Sequence, residues 1–404
     1  MRAAEEKPKT LLLKSGWQTE NIGDIAHSPG VLALLEQHLP EVEVIYWPNS
    51  FDRGVEPMLR KRFPNLRVVQ GSCDSAGAPQ TEELREAFEK ADLLMHGSGP
   101  SVVGQRHLAA WRKATGKPYG IYGVTIQDIS AELRELLTAA AFVFTRETHS
   151  LKNLEAAGIT EPATGFAPDG TFAIDLRDDE RADAFLREHG LETRKFLCAV
   201  PRLRYTPYHK IRKVSWSAEE IARREAVNEK HAEADHAKLR EAIIRFVRET
   251  GNKVLVCPEM TYQLEIIGPL VVDPLPDDVK PHVVARKTYW LPDEAGSVYR
   301  RAHTVVSMEC HSPIIAAAMG TPCFYIRQPE DTIKGQMWYD LGFNNWVFEI
   351  EETEGRQIAE RLLGVAADYE AAGRYLAAAR ARAARQHTDT LAEVRKILGL
   401  AATR

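Results

Sequence analysis

The chain contains no run of about 18 apolar residues, the length a helix needs to cross a bilayer, so no stretch reads as a membrane span. Cysteine is sparse. Five residues, Cys73, Cys198, Cys257, Cys310 and Cys323, are scattered without CxxC spacing, most of them in apolar runs. That pattern argues against a disulfide framework or a zinc site and predicts buried thiols, with no metal expected. Positive charge is not in excess either: 52 Lys and Arg stand against 57 Asp and Glu, a formal net charge of -5, whereas a nucleic-acid surface calls for a basic balance. Neither an internal repeat nor a low-complexity tract occurs. The opening residues MRAAEEKPKT carry no apolar signal core, so the expectation is a cytoplasmic protein, or an exported one if a signal segment precedes this sequence.

What is present is a long alternation of short apolar runs and amphipathic segments. A length of 404 residues exceeds one ordinary core and suits two domains of about 150 to 200 residues each. Apolar runs near 10–14, 42–47, 66–69, 91–95, 118–124 and 141–145 predict strands, with helices between them, which implies a parallel sheet covered on both faces. Residues 10–176 therefore form a Rossmann-like domain. The charged run DLRDDERAD from Asp175 reads as a linker, and residues 190–350 repeat the rhythm as a second Rossmann-like domain. Ser217 and Glu220 make a capping box for a long charged helix. Its polar first half, about 218–235, has little to bury and is free to stand away from the core or to contact a second subunit. Residues 354–400 are Ala-rich and helical.

Polar residues gather where strands end, which is where ligands bind in open α/β sheets. The densest case is residues 304–338: a buried strand, then Glu309, Cys310, His311 and Ser312, then a helix entered through Pro313, a second strand, and a segment holding Arg327, Asp331 and Lys334. Ser312 suits a helix cap. Earlier, Asn21, Asp24 and His27 stand at a helix amino terminus, a place that favours an anion or a sugar hydroxyl, although Asp24 could equally be a plain cap. Gly97, Ser98 and Gly99 form a turn that lets backbone approach a ligand. After the strand 196–200 comes PRLRYTPYHKIRKVSW, where Arg202, Arg204, His209, Lys210, Arg212 and Lys213 alternate with Tyr205, Tyr208 and Trp216. In an acidic chain this cluster predicts an anion site or a lid over one. PEMTYQ supplies Glu259 at the next tip.

SMECHSPIIAAAMGTPCFYI followed by DTIKGQMWYDLGF resembles the carboxy-terminal signature of the polysaccharide pyruvyl transferase family. NIGD at 21–24, HGSGPSV at 96–102, FTRETHSLKNL at 144–154 and PDGTF at 168–172 match in order. The resemblance implies a glycosyltransferase B-type architecture: two doubly wound domains facing across a cleft, with C-terminal helices crossing back onto the first. It also implies transfer of pyruvate from phosphoenolpyruvate, a co-substrate rather than a bound cofactor, to two sugar hydroxyls. Such ketal formation needs cations for the donor, an acid for its methylene carbon and a base for each hydroxyl. His311, Glu309 and Asp24 are the expected catalytic residues, with Glu309 raising the pKa of His311. Arg202, Arg204, Lys334 and Ser312 are expected on the donor, and Asn21, His27, Ser98, Glu259 and Tyr205 on the carbohydrate acceptor. The family usually carries Arg two residues before the His, and here that position is Glu309. Two alternatives remain open: a nucleotide-sugar glycosyltransferase with diphosphate at the helix after Ser312, or an exported carbohydrate-processing or carbohydrate-binding relative that does not use phosphoenolpyruvate.

Overall fold

Among the described residues the chain forms thirteen strands in two sheets, and every neighbouring pair is parallel. The description comes from a computed structural model and covers residues 8–401; most of the polar lead that opens the sequence lies outside the described residues. By internal contacts the chain divides into two compact units. The first holds residues up to Thr19, Asp24–Ile174 and the chain from Ala381 onward, and the second holds Glu20–Gly23 and Asp175–Arg380.

The first sheet contains β1 (Thr10–Ser15), β2 (Glu43–Pro48), β3 (Arg67–Val68), β4 (Leu93–His96), β5 (Tyr119–Val124), β6 (Phe142–Thr145) and β7 (Ala163–Phe166), in spatial order 3-2-1-4-5-6-7. The second contains β8 (Phe196–Val200), β9 (Lys253–Val256), β10 (Val283–Ala285), β11 (Thr304–Ser307), β12 (Cys323–Arg327) and β13 (Val347–Glu349), in order 10-9-8-11-12-13. Both orders reverse beside the first strand of the unit, between β1 and β4 and between β8 and β11. That reversal splays the connecting loops apart and opens a crevice beyond the strand ends. Every residue of β1, β4, β5, β8 and β11 is buried, as expected of parallel strands covered on both faces. Strands β7 and β13 are additions to the sequence reading. Both are short, at four and three residues, and lie at sheet edges where an apolar run is not needed.

Two segments differ from expectation. The charged run after Asp175 is not a linker but the start of the helix Asp179–His189, capped by Asp178 and fastened by Arg301 to Asp179 and Asp183, at 2.7 Å each. Asp178, Asp179 and Asp183 are thus committed to local bonds. The helix Gly355–Ala367 belongs to the second unit and packs along the helix Ala218–Thr250, rather than returning to the first domain. The last helix, Tyr369–Ile397, does make the expected crossing: it begins in the second unit and ends in the first.

Candidate active site

In the second unit, the tips of β8, β9, β11 and β12 each deliver a charged side chain. Glu259 follows β9 and is completely buried. Its Oε2 accepts the Ser312 N–H at 2.5 Å, so a carboxylate from beyond β9, two strands away in the sheet, caps the helix His311–Ala318. Its Oε1 lies 3.4 Å from His311 Nδ1. Glu259, and not Glu309, is therefore the carboxylate on His311. Glu309 is the second residue after β11 and turns toward Arg202, whose Nε is 3.4 Å away, while Gln263 Nε2 donates to its Oε1 at 2.8 Å. Gln263 itself is buried, and its Oε1 takes the N–H groups of Glu259 and Met260 at 2.6 and 3.0 Å. One amide thus holds both glutamates in place.

The chain before the first helix also reaches this place. Ile22 N–H donates to the Glu259 carbonyl and Thr261 N–H to the Glu20 carbonyl, each at 3.0 Å, and Asn21 bridges Met260. Asn21 Oδ1 accepts the Gly23 N–H at 2.6 Å, so Asn21 serves as the cap there. A Cβ on Gly23 would collide with the His311 ring, which explains the glycine of NIGD as a demand of close approach.

Cations are present but committed. Arg202, 7% exposed, is paired with Asp331, and Asp331 also takes Lys334 at 3.4 Å, Tyr325 Oη at 2.6 Å and the Gln328 N–H at 3.1 Å. Burial works against each charge here. The carboxylates of Asp331 and Glu309 nevertheless hold the Arg202 pKa well above its ordinary value, and Arg202 and Lys334 hold Asp331 well below the usual carboxylate range. Glu309 differs: burial pushes it up to about 8 despite Arg202, helped by the nearby Glu259 charge. For Glu259 burial also disfavours the charge, but the hydrogen bond and charge of His311 and the Ser312 N–H bring its pKa below the ordinary value. Ser312, expected on the donor, spends its N–H on Glu259, and its hydroxyl accepts from Tyr299 Oη at 3.1 Å.

Arg204 and Tyr205 turn to the long helix instead. Arg204 grips Asp235 with Nε and Nη2 at 2.8 and 3.1 Å and reaches Glu351 at 2.7 Å. Tyr205 exchanges two 2.8 Å bonds with the Asn228 side chain through its backbone, and its ring faces Arg224. The basic segment is strapped down by pairs and cation–π contacts rather than left open. Spacing in the sequence shows the positive charges at 202–213 but not their partners: those of Arg204 lie 31 and 147 residues away in the chain, and His209 and Lys210 pair with Glu225.

In the first unit, Asp24, His27 and Ser98 are all buried. His27 Nε2 lies 3.9 Å from Asp24 Oδ1 and 3.5 Å from Asp169 Oδ2, and Gln18 donates to Asp24. Asp169 accepts from Arg146 Nη1 at 2.8 Å, and Arg146 Nε donates to Thr125 Oγ1 at 2.7 Å. Ser98 Oγ accepts the Gly170 N–H at 2.9 Å, which ties the GSG turn to PDGTF. Beside Arg146, burial pushes Glu147 up to about 7 even though Ser150 donates to it. Arg146, Asp169 and Gln263 stand at strand tips or in motifs visible in the sequence, at RE, PD and PEMTYQ, but are not among the site residues expected from it.

Two doubly wound parallel sheets, each with its ionisable residues beyond the strand ends, define the glycosyltransferase B-type class. Within it, the chain belongs to the polysaccharide pyruvyl transferase family, whose model matches residues 21–328. Membership makes it a carbohydrate-modifying transferase. The fold is shared with UDP-GlcNAc 2-epimerase from Neisseria meningitidis, solved with UDP-GlcNAc, at 12% identity and TM-score 0.60 over 96% of this chain and 100% of that one. Anabaena HepE in complex with UDP-glucose gives 12% identity and TM-score 0.56, covering 96% and 99%. A glycosyltransferase from Rickettsia africae gives 11% identity and TM-score 0.56, covering 97% and 98%. No curated protein matches the chain in sequence. Among the described residues no helix is long and apolar enough to cross a membrane.

Proposed function

We propose that the chain transfers pyruvate from phosphoenolpyruvate to two hydroxyls of a sugar, forming a ketal on a polysaccharide or its precursor. The observation that carries this reading is the pair His311–Glu259, formed between the ends of β11 and β9. Glu259 stays ionised and takes Nδ1, which favours the protonated ring and leaves Nε2 as the proton donor. In this scheme His311 protonates the methylene carbon of the donor. One sugar hydroxyl then adds to the adjacent carbon, the second hydroxyl displaces the phosphate, and two C–O bonds have formed for one broken. Of the two protons the hydroxyls lose, one restores the acid and the other leaves with phosphate or water.

Arg202 and Lys334 are the cations this reading places on the donor, exchanging part of their hold on Asp331 for the phosphate and carboxylate. Asn21 stands beside Glu259 and is placed on the acceptor. The diphosphate position of a nucleotide-sugar enzyme is disfavoured, because the Ser312 N–H it would use already serves Glu259. His311→Ala is expected to lower turnover by about 10²-fold or more. Calorimetry with phosphoenolpyruvate, nucleotide sugars and pyruvylated oligosaccharides tests the donor. Binding of a pyruvylated glycan but not phosphoenolpyruvate would replace this reading with a glycan-processing one.

A further inference from the structure

The ionisable groups of the second unit's site are unequally matched. Three buried carboxyl groups, Glu259, Glu309 and Asp331, face two cations, Arg202 and Lys334, with His311 as the one imidazole among them. Asp331 takes both cations together with a hydroxyl and a backbone N–H. Glu259 takes the imidazole and a helix N–H. Glu309 is left with a neutral amide at 2.8 Å and a 3.4 Å share of an arginine whose shorter contact is Asp331. The charged and titratable groups around it are Arg202 beyond β8, Glu259 and Tyr262 beyond β9, Asp331 and Lys334 beyond β12, and His311 on its own connection. Of these, Arg202, Lys334 and a protonated His311 favour its negative form, and each is shared, the two cations with Asp331 and the imidazole with Glu259.

A donor carrying phosphate and carboxylate that reaches Arg202 or Lys334 arrives within the field of Glu309. In a buried site two such charges repel strongly, and the cheapest relief is a proton on the carboxyl with the weakest partners. We propose that the second unit takes its anionic donor together with a proton, and that Glu309 is the group that holds it. This rests on phosphoenolpyruvate being the donor. Glu309 then replaces a fixed positive charge with a removable negative one, which makes donor affinity depend on pH.

Calorimetry of phosphoenolpyruvate binding to the full chain at pH 9, in two buffers of different ionisation enthalpy, counts the protons. At that pH a phosphate monoester, with a second pKa of about 6, is already fully ionised. Uptake approaching one proton per donor bound is expected for the wild type, and close to none for Glu309→Gln. Wild-type affinity should also fall about tenfold per pH unit above pH 8, while that of the variant stays flat. Binding without proton uptake would overturn the proposal and leave the donor reading standing. Uptake that persists in Glu309→Gln would assign the proton elsewhere and overturn the role of Glu309. If the wild type binds no phosphoenolpyruvate at all, the donor reading fails and takes this inference with it.

Discussion

Two glutamates at the strand tips that flank β8 carry opposite tasks because their partners differ. Glu259 has an imidazole and a helix N–H, both of which favour its charge, whereas Glu309 has a neutral amide and part of an arginine. Glu259→Gln should therefore reduce the protonated fraction of His311, moving the alkaline limb of the pH–rate profile to lower pH. An unshifted profile would detach Glu259 from the imidazole's titration. Glu309 has the opposite signature in stability. Its folded pKa, about 8, lies above its ordinary 4.5, so the folded state binds the extra proton and stability falls as pH rises between those values. Denaturant midpoints of Glu309→Gln measured from pH 5 to 8 should decline less than those of the wild type. Parallel curves would mean that the carboxyl is ionised throughout.

At the scale of elements, the loop entering the first helix is held by two backbone bonds to residues 259–261, and Gly23 lets it lie on the His311 ring. Gly23→Ala forces a methyl group into that contact. Overpacking of this kind costs about 1–3 kcal/mol, and because the obstructed neighbour is the imidazole, turnover should drop by more than the stability loss explains. A variant with unchanged turnover would show that the ring moves aside harmlessly. The strand tips were readable from the sequence because apolar runs ending in polar clusters report the sheet's carboxyl edge directly, as at 304–312. The motif NIGD was readable as a loop, but not its partner, since nothing local in Asn21 or Gly23 points to residues 259 and 311. Likewise the arginines at 202 and 204 looked available because charge density is local and their carboxylates, Asp331 and Asp235, are distant in the chain. Ser312 looked like a cap because its residue type is the usual one; a buried glutamate from another strand does that job.

At the scale of the whole molecule, one strand order serves both units, and the last helix is divided between them. Its closing half is not an appendage of the first unit. His387 Nδ1 and Thr390 Oγ1 lie 2.9 and 3.2 Å from Tyr122 Oη on β5, in a fully buried setting, and Leu391 and Val394 join the core. Arg395 holds the carbonyl of His38 at 3.2 Å and pairs with Glu41. A buried hydroxyl stripped of its partners costs about 1–3 kcal/mol, and removal of the apolar side chains adds to that. A chain ending at Arg380 should therefore lose hydrogen-exchange protection along β5, residues Tyr119–Val124, while β8 and β11 keep theirs, because both belong to the second unit, which the truncation leaves in place. Equal protection of β5 with and without residues 381–404 would mean that the helix covers the sheet without stabilising it. Loss of protection in both sheets would mean that the two units open together.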